Sequence, residues 1–143
     1  KQLDLIFNSY QEAHFLSAGR KTRSDESWAE MKKTLIAGEA DLFVMKKKNT
    51  PISYLFCRNY DRVATSWSQV NIEEFEKEYH PRHLLEWHAI NYYKKKKYKF
   101  YDVGFRLFDY ENYKFSEKYK TISEFKEKYG ANIFPIAQFQ ANI

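Results

Sequence analysis

Leu3, Ile6, Phe7, Tyr10 and His14 share one helical stripe, which predicts an amphipathic helix over residues 2–18 that stops near Gly19. A second stripe of Trp28, Met31 and Leu35 predicts another helix, ending at Gly38. Ser24 is its natural N-cap, and Asp25 and Glu26 follow in the first turn, where acids suit the helix dipole. At Ala40 the helical period is lost. Leu42 to Met45 form a short apolar run, and the polar turn Lys46 to Thr50 follows. Ile52, Tyr54 and Phe56 then alternate with Ser53, Leu55 and Cys57, and a turn at Asn59 to Asp61 leads into a third strand from Val63 to Val70. Three strands on short connections predict an antiparallel meander.

The acidic stretch Glu73 to Glu78 precedes Pro81, which suits a first helical position. A long helix is predicted from there to Lys97, with Leu84, Leu85, His88, Ala89 and Tyr92 along one face. Lys94 to Lys97 close it, where cations suit the helix C-terminus. A strand over Lys99 to Val103 comes next. Phe105 to Lys120 has no clear period and reads as a long loop. A short helix capped by Thr121 or Ser123 runs to Tyr129, with Gly130 as its C′ residue, and the apolar run Ile133 to Phe139 predicts a closing strand. The order ααβββαβαβ defines an α+β class, a mixed and mostly antiparallel sheet flanked by helices.

A chain of 143 residues suits one compact domain, taken here as residues 1–143. It lacks an initiator Met and opens inside a helical pattern, so the expectation is a piece of a longer protein. Twelve Tyr and 12 Phe against 2 Met predict a core of rings with polar tips. The formal net charge of +5 favours anionic partners such as nucleic acid, nucleotide phosphates or an acidic membrane surface. A lone cysteine, Cys57, excludes an intramolecular disulfide, fits a reducing cytosolic setting and reads as a small core residue. No Cys/His pairing has zinc spacing, so no metal is expected. No apolar run approaches the roughly 18 residues of a membrane span, and no signal peptide is visible.

Two local motifs stand on these elements in a set order. Phe100-Tyr101-Asp102-Val103-Gly104 follows the tyrosine-rich helix, and Phe125-Lys126-Glu127-Lys128-Tyr129-Gly130 comes after the aperiodic stretch. Together they resemble the acyltransferase fold of the GNAT superfamily, and more closely its FemAB-like branch, which includes the peptidoglycan-bridge aminoacyltransferases. Ala18-Gly19-Arg20, then Thr22-Arg23-Ser24, Trp28 and Gly38-Glu39-Ala40, are similar to that family's two opening helices entering the sheet. His83 to Ile90 resembles its long helix before the central strand.

The resemblance implies that an acyl group passes from an activated carrier, acyl-CoA or aminoacyl-tRNA, to an amine in bacterial cell-surface polymer synthesis. The acceptor would be a small-molecule or lipid-linked amine. The setting would be the cytoplasm, with tRNA or the inner face of the membrane as further partners. Such a site must deprotonate the amine, stabilise the oxyanion and meet the donor's phosphates. By the motif, Lys126 stabilises charge beside the donor, and the competing reading is a solvated helix lysine. Asp102 orients the acceptor or takes its proton, or else caps a turn before Gly104, whose backbone freedom suits a turn or close approach to a ligand. One feature departs from the family. The Gly-rich turn that cradles a pyrophosphate is replaced by Tyr79-His80-Pro81-Arg82-His83, so donors to phosphate would be the side chains of His80, Arg82 and His83.

The remaining candidates divide between chemistry and packing. His80 and His83 are candidate bases, whereas His88 reads as a core histidine. Arg20, Lys21 and Arg23, like the Lys94 to Lys97 run, read as solvated charge or as contacts to phosphate. Trp67 and Tyr54 read as core rather than as stacking platforms, and Ser66 and Ser68 lack the neighbours of a triad. Two functions remain: an N-acyltransferase, and a catalytically inactive domain that docks RNA or a protein through its basic face.

Overall fold

The computed structural model describes residues 2–109 and 114–134. Its contacts divide the chain into a larger unit ending at Asp102 and a smaller one beginning at Val103.

In the larger unit, α1 (Gln2–Ala18) and α2 (Asp25–Ile36) coincide with the two predicted stripes. The Ser24 hydroxyl accepts the Ser27 N–H at 3.2 Å and so fixes the start of α2. Strands β1 (Ala40–Lys47), β2 (Thr50–Tyr60) and β3 (Val63–Asn71) form the expected antiparallel meander. The acidic stretch coils into short helical turns, the second being α3 (Glu76–Tyr79), and α4 (Pro81–Lys95) follows. This crossover returns the chain so that β4 (Phe100–Asp102) lies parallel to β3, giving a mixed sheet in the order β1-β2-β3-β4.

Residues 52–57 of β2 are all buried, because helices cover both sides of the sheet. Tyr54 and Phe56 pack with Phe7, Tyr10, Trp28 and Met31 of α1 and α2. Their alternates Leu55 and Cys57 pack with Leu85, Ala89 and Tyr93 of α4. The buried stripe of α4 is therefore Pro81, Leu85, Ala89 and Tyr93, spaced by four, with Glu86 beside it. Of the predicted face, Leu85 and Ala89 are buried and Tyr92 packs beside them, but Leu84 is exposed, and His88 is an exposed residue whose ring meets Phe43 at 6.0 Å and not a core histidine.

The smaller unit corrects a second expectation. Helix α5 (Glu117–Glu127) starts at Glu117 after Ser116 in extended geometry, so Thr121 and Ser123 lie inside it and do not cap it. Its first turn, Glu117 to Lys120, carries a single ring, the exposed Tyr119, and so offers no apolar period; a Lys120–Glu117 ion pair at 2.9 Å supports it instead. Ser123 is buried, and its hydroxyl accepts from the Arg106 guanidinium at 3.0 Å while donating to the Lys120 carbonyl. Arg106 also pairs with Glu127. Lys120 reaches Asp109 at 2.6 Å, so two cations tie the segment after Gly104 to α5. Most of the closing strand predicted over Ile133 to Phe139 lies outside the described residues.

The two adjacent leucines of α4 provide a direct test of this packing. Leu85 is 5% exposed and Leu84 54%. Leu85→Ala should cost about 2–5 kcal/mol in urea unfolding, whereas Leu84→Ala should stay within about 0.5 kcal/mol.

Candidate active site

Strands β3 and β4 pair over only three positions: Val63 with Phe100, Ala64 with Tyr101, and Thr65 with Asp102. Beyond Thr65, β3 runs on to Asn71 while β4 ends, so the parallel pair parts at its carboxyl end. The β2–β3 register also slips here. Phe56 pairs with Ser68 and Cys57 with Ser66, which leaves Trp67 as the extra residue of a bulge. Bulges interrupt the hydrogen-bond ladder and re-aim side chains, and they are common beside active sites.

The carboxylate of Glu86 lies at this parting. Glu86 is 5% exposed. It accepts the Tyr101 hydroxyl of β4 at 2.8 Å and the Ser66 hydroxyl of β3 at 3.2 Å. A buried carboxylate without such donors would be strongly unfavourable. Burial, then the neighbouring Cys57 and Glu86, push the Tyr101 hydroxyl well above its ordinary range, so it stays protonated and donates. Cys57 lies 3.6 Å from that hydroxyl, and burial pushes its thiol up to about 12. It is a packed thiol with no nucleophilic character at neutral pH. Further along the same face, Asp41 of β1 accepts from Tyr93 at 2.8 Å, Asn59 at 2.8 Å and Tyr92 at 3.3 Å.

The opposite face of the sheet carries a different polar cluster. The Ser68 hydroxyl oxygen accepts from Tyr10 at 2.8 Å and from Arg23 at 3.0 Å, leaving its hydrogen for His14 Nε2 at 3.1 Å. Burial and then the Arg23 charge push His14 down to about 4, so its ring is neutral at pH 7. Arg23 is thus anchored over the Trp28 ring at 5.0 Å and is not a freely solvated linker cation. Lys21 pairs with Asp25 at 2.7 Å. Tyr54 is buried as expected, but Trp67 is exposed, with the Arg58 guanidinium over its ring at 5.0 Å.

The residues singled out from the sequence fall in three places. His80, Arg82 and His83 gather at the start of α4. His80 has left-handed backbone (φ 44°), and the Arg82 carbonyl accepts from Gln69 of β3 at 3.3 Å. His83 is exposed, and its N–H bonds to the His80 carbonyl at 3.1 Å. Pro81 has no N–H, and the His83 and Leu84 amides turn back to the His80 carbonyl at 3.1 and 3.4 Å, so this helix start is short of the amide donors that a pyrophosphate uses. Asp102 ends β4, one residue after Tyr101 and so on the other side of the strand. Gly104 and Lys126 come together in the smaller unit. Gly104 has φ +94°, and the Lys126 ammonium lies where a Cβ on residue 104 would stand. The lysine tail could swing aside, so the backbone angle is the firmer reason for glycine. Glu86 and Tyr101 were not among the sequence candidates. The available signal was a carboxylate at i, i+3, i+7 spacing with Ala89 and Tyr93 on an apolar face.

A family model described as an acetyltransferase (GNAT) domain matches residues 2–115. The chain belongs to this family, and its mixed sheet with flanking helices is that of a GNAT acyltransferase domain. The match includes Glu86, Tyr101, Asp102 and Gly104 and ends before α5, which carries Lys126. No curated protein and no solved structure matches the chain. Among the described residues, no group of three or more His, Cys, Asp or Glu is arranged to hold a metal ion. No described helix is long and apolar enough to cross a membrane.

The depressed His14 predicts the sign of a pH effect. Between pH 6.5 and about 4 the unfolded chain takes up a proton that the folded chain refuses. The contribution of His14 to stability should fall as pH drops through that window and be fully lost below it. Urea titrations at successive pH values should show this slope flattened in His14→Gln.

Proposed function

We propose that this domain is an N-acyltransferase of the FemAB-like kind, moving an acyl or aminoacyl group from an activated carrier to an amine of a cell-surface polymer precursor. Family membership supports the reaction class. The observation that carries the mechanism is the Glu86 carboxylate, held by Ser66 of β3 and Tyr101 of β4 where the two parallel strands part. Ligands of α/β sheets sit at the carboxyl ends of strands, at such partings.

In this reading the neutral amine attacks the carrier's acyl carbon, a C–N bond forms and the carrier's C–S or ester C–O bond breaks. Glu86 accepts the amine proton, and Tyr101 holds that carboxylate in place with its own proton retained. The proton then passes to the departing thiolate or alkoxide. No covalent enzyme intermediate is needed. The family resemblance gives Lys126 the role of stabilising the oxyanion, whereas Asp102, on the side of β4 away from Tyr101, has no part at the Glu86 carboxylate. The donor's phosphates fall to the side chains of His80, Arg82 and His83, because Pro81 leaves the helix start short of amide donors. That same shortage favours a second reading, a domain without transferase activity that binds RNA or protein.

A thermal-shift screen with acetyl-CoA and aminoacyl-tRNA separates the donors, and stabilisation by neither would favour the second reading. Glu86→Gln keeps an acceptor oxygen for Tyr101 and should lower transfer by about 10²–10⁴-fold with the fold retained. Full activity in that variant would leave Glu86 a purely structural residue. Lys126→Ala should likewise abolish transfer with little change in melting temperature. Unfolding, or unchanged activity, removes Lys126 from the mechanism.

A further inference from the structure

The end of α4 that is remote from Arg82 carries a cationic surface that the acyl-transfer reading does not use. Lys94, Lys95, Lys96 and Lys97 close the helix, and Lys99 and Phe100 lead into β4, all of them exposed. The β2–β3 hairpin tip, Tyr60-Asp61-Arg62, is joined to this segment by its backbone. The Arg62 carbonyl accepts the Lys99 N–H at 2.8 Å and the Phe100 N–H at 3.4 Å. Five lysines and an arginine thus border two projecting rings, Tyr60 at 86% exposure and Phe100 at 57%. The stretch from Lys94 to Phe100 contains no acid. Of the nearby carboxylates, Asp61 lies in the hairpin tip, and Asp41 accepts bonds from Tyr92, Tyr93 and Asn59.

Two of the cations occupy backbone positions that disfavour side chains. Lys97 (φ 60°) and Arg62 (φ 61°) are both left-handed, where glycine would fit at less cost. Lysine at a helix C′ position and arginine in a tight turn keep charge at this surface against local preference.

We propose that this surface docks the domain on an anionic lipid bilayer. Lysines outnumber arginine five to one, and point charges suit diffuse headgroups, whereas planar guanidinium forks suit fixed phosphates and base edges. Exposed Tyr and Phe beside such lysines match the headgroup boundary, where rings insert and cations remain wet. Docking there leaves the carboxyl end of β3 and the start of α4 open, because they lie at the other end of the same helix.

Flotation of the protein with vesicles of phosphatidylglycerol and phosphatidylcholine, compared with phosphatidylcholine alone, tests the proposal. Binding should need the anionic lipid and weaken with salt. The triple variant Lys95→Gln, Lys97→Asn, Lys99→Gln should bind about a hundredfold less tightly, taking roughly fivefold per lysine. A Tyr60→Ser, Phe100→Ser variant should lose the part of binding that survives high salt. Lys33→Gln, Lys77→Gln, Lys128→Gln, with the same loss of charge elsewhere, should bind like the unmodified protein, and circular dichroism confirms the fold of each variant. Equal weakening by this control triple overturns the proposal, as does equal binding to neutral vesicles or no binding at low salt. So does a single-stranded RNA bound more tightly than vesicles and lost in the first triple, which would make the surface an RNA site.

Discussion

The carboxylate of Glu86 has to be hydrogen-bonded where it is buried, and that requirement holds the larger unit together. Losing one hydrogen bond to such a buried charged group costs on the order of 1.5–3 kcal/mol. Its two donors come from different strands, Ser66 on β3 and Tyr101 on β4. Meeting both fixes how far β4 slides along β3, with Ala64 opposite Tyr101. It also fixes the rotation of α4, since Glu86 can face the strands only while Leu85 and Ala89 face the sheet. The register of β4 against β3 and the rotation of α4 are both consistent with that one group, and the packing of Leu85, Ala89 and Tyr93 favours the same rotation.

The tyrosine-rich composition serves the same end on a larger scale. A tyrosine ring fills a core as phenylalanine does, and its hydroxyl carries a hydrogen bond into the interior. On the α4 side, Tyr101, Tyr93 and Tyr92 donate to Glu86 and Asp41. On the other side, Tyr10 meets Ser68 together with Arg23 and His14. These bonds let the sheet be covered on both sides with its hydroxyls and carboxylates paired, although among the described residues the buried Asn59 Oδ1 is left without a partner. Helix α4, 15 residues and so about 22 Å long, spans from the candidate donor-binding end to the lysine-rich end. It sets the distance between the proposed chemistry and the proposed docking surface.

Much of this architecture was legible along the chain. The stripe from Leu3 to His14, the Ser24 cap and the alternation at Ile52 to Cys57 each gave an element in the right place. These signals are local, written within one turn or one strand. The start of α5 was not legible, because Glu117 to Lys120 has no apolar face and is supported by ion pairs to Asp109 and within the helix. The apolar face of α4 is narrower than its sequence suggests, since Leu84 and Leu85 are equally apolar and only the sheet distinguishes them. Gly104 and Lys126, which stand in the two motifs, are neighbours in the fold, whereas Glu86 lies in neither motif.

The sequence by itself determined the element order, the α+β class, the basic surface and the GNAT resemblance, all properties of residue type and local spacing. The tertiary structure alone decided which carboxylate lies at the parting of β3 and β4, and that Ser66 and Tyr101 are the groups that hold it. Those facts depend on residues 15 to 20 positions apart meeting across a helix and two strands. Spacing along a chain cannot express such a meeting, because it arises only when burial requires each polar group to find a partner.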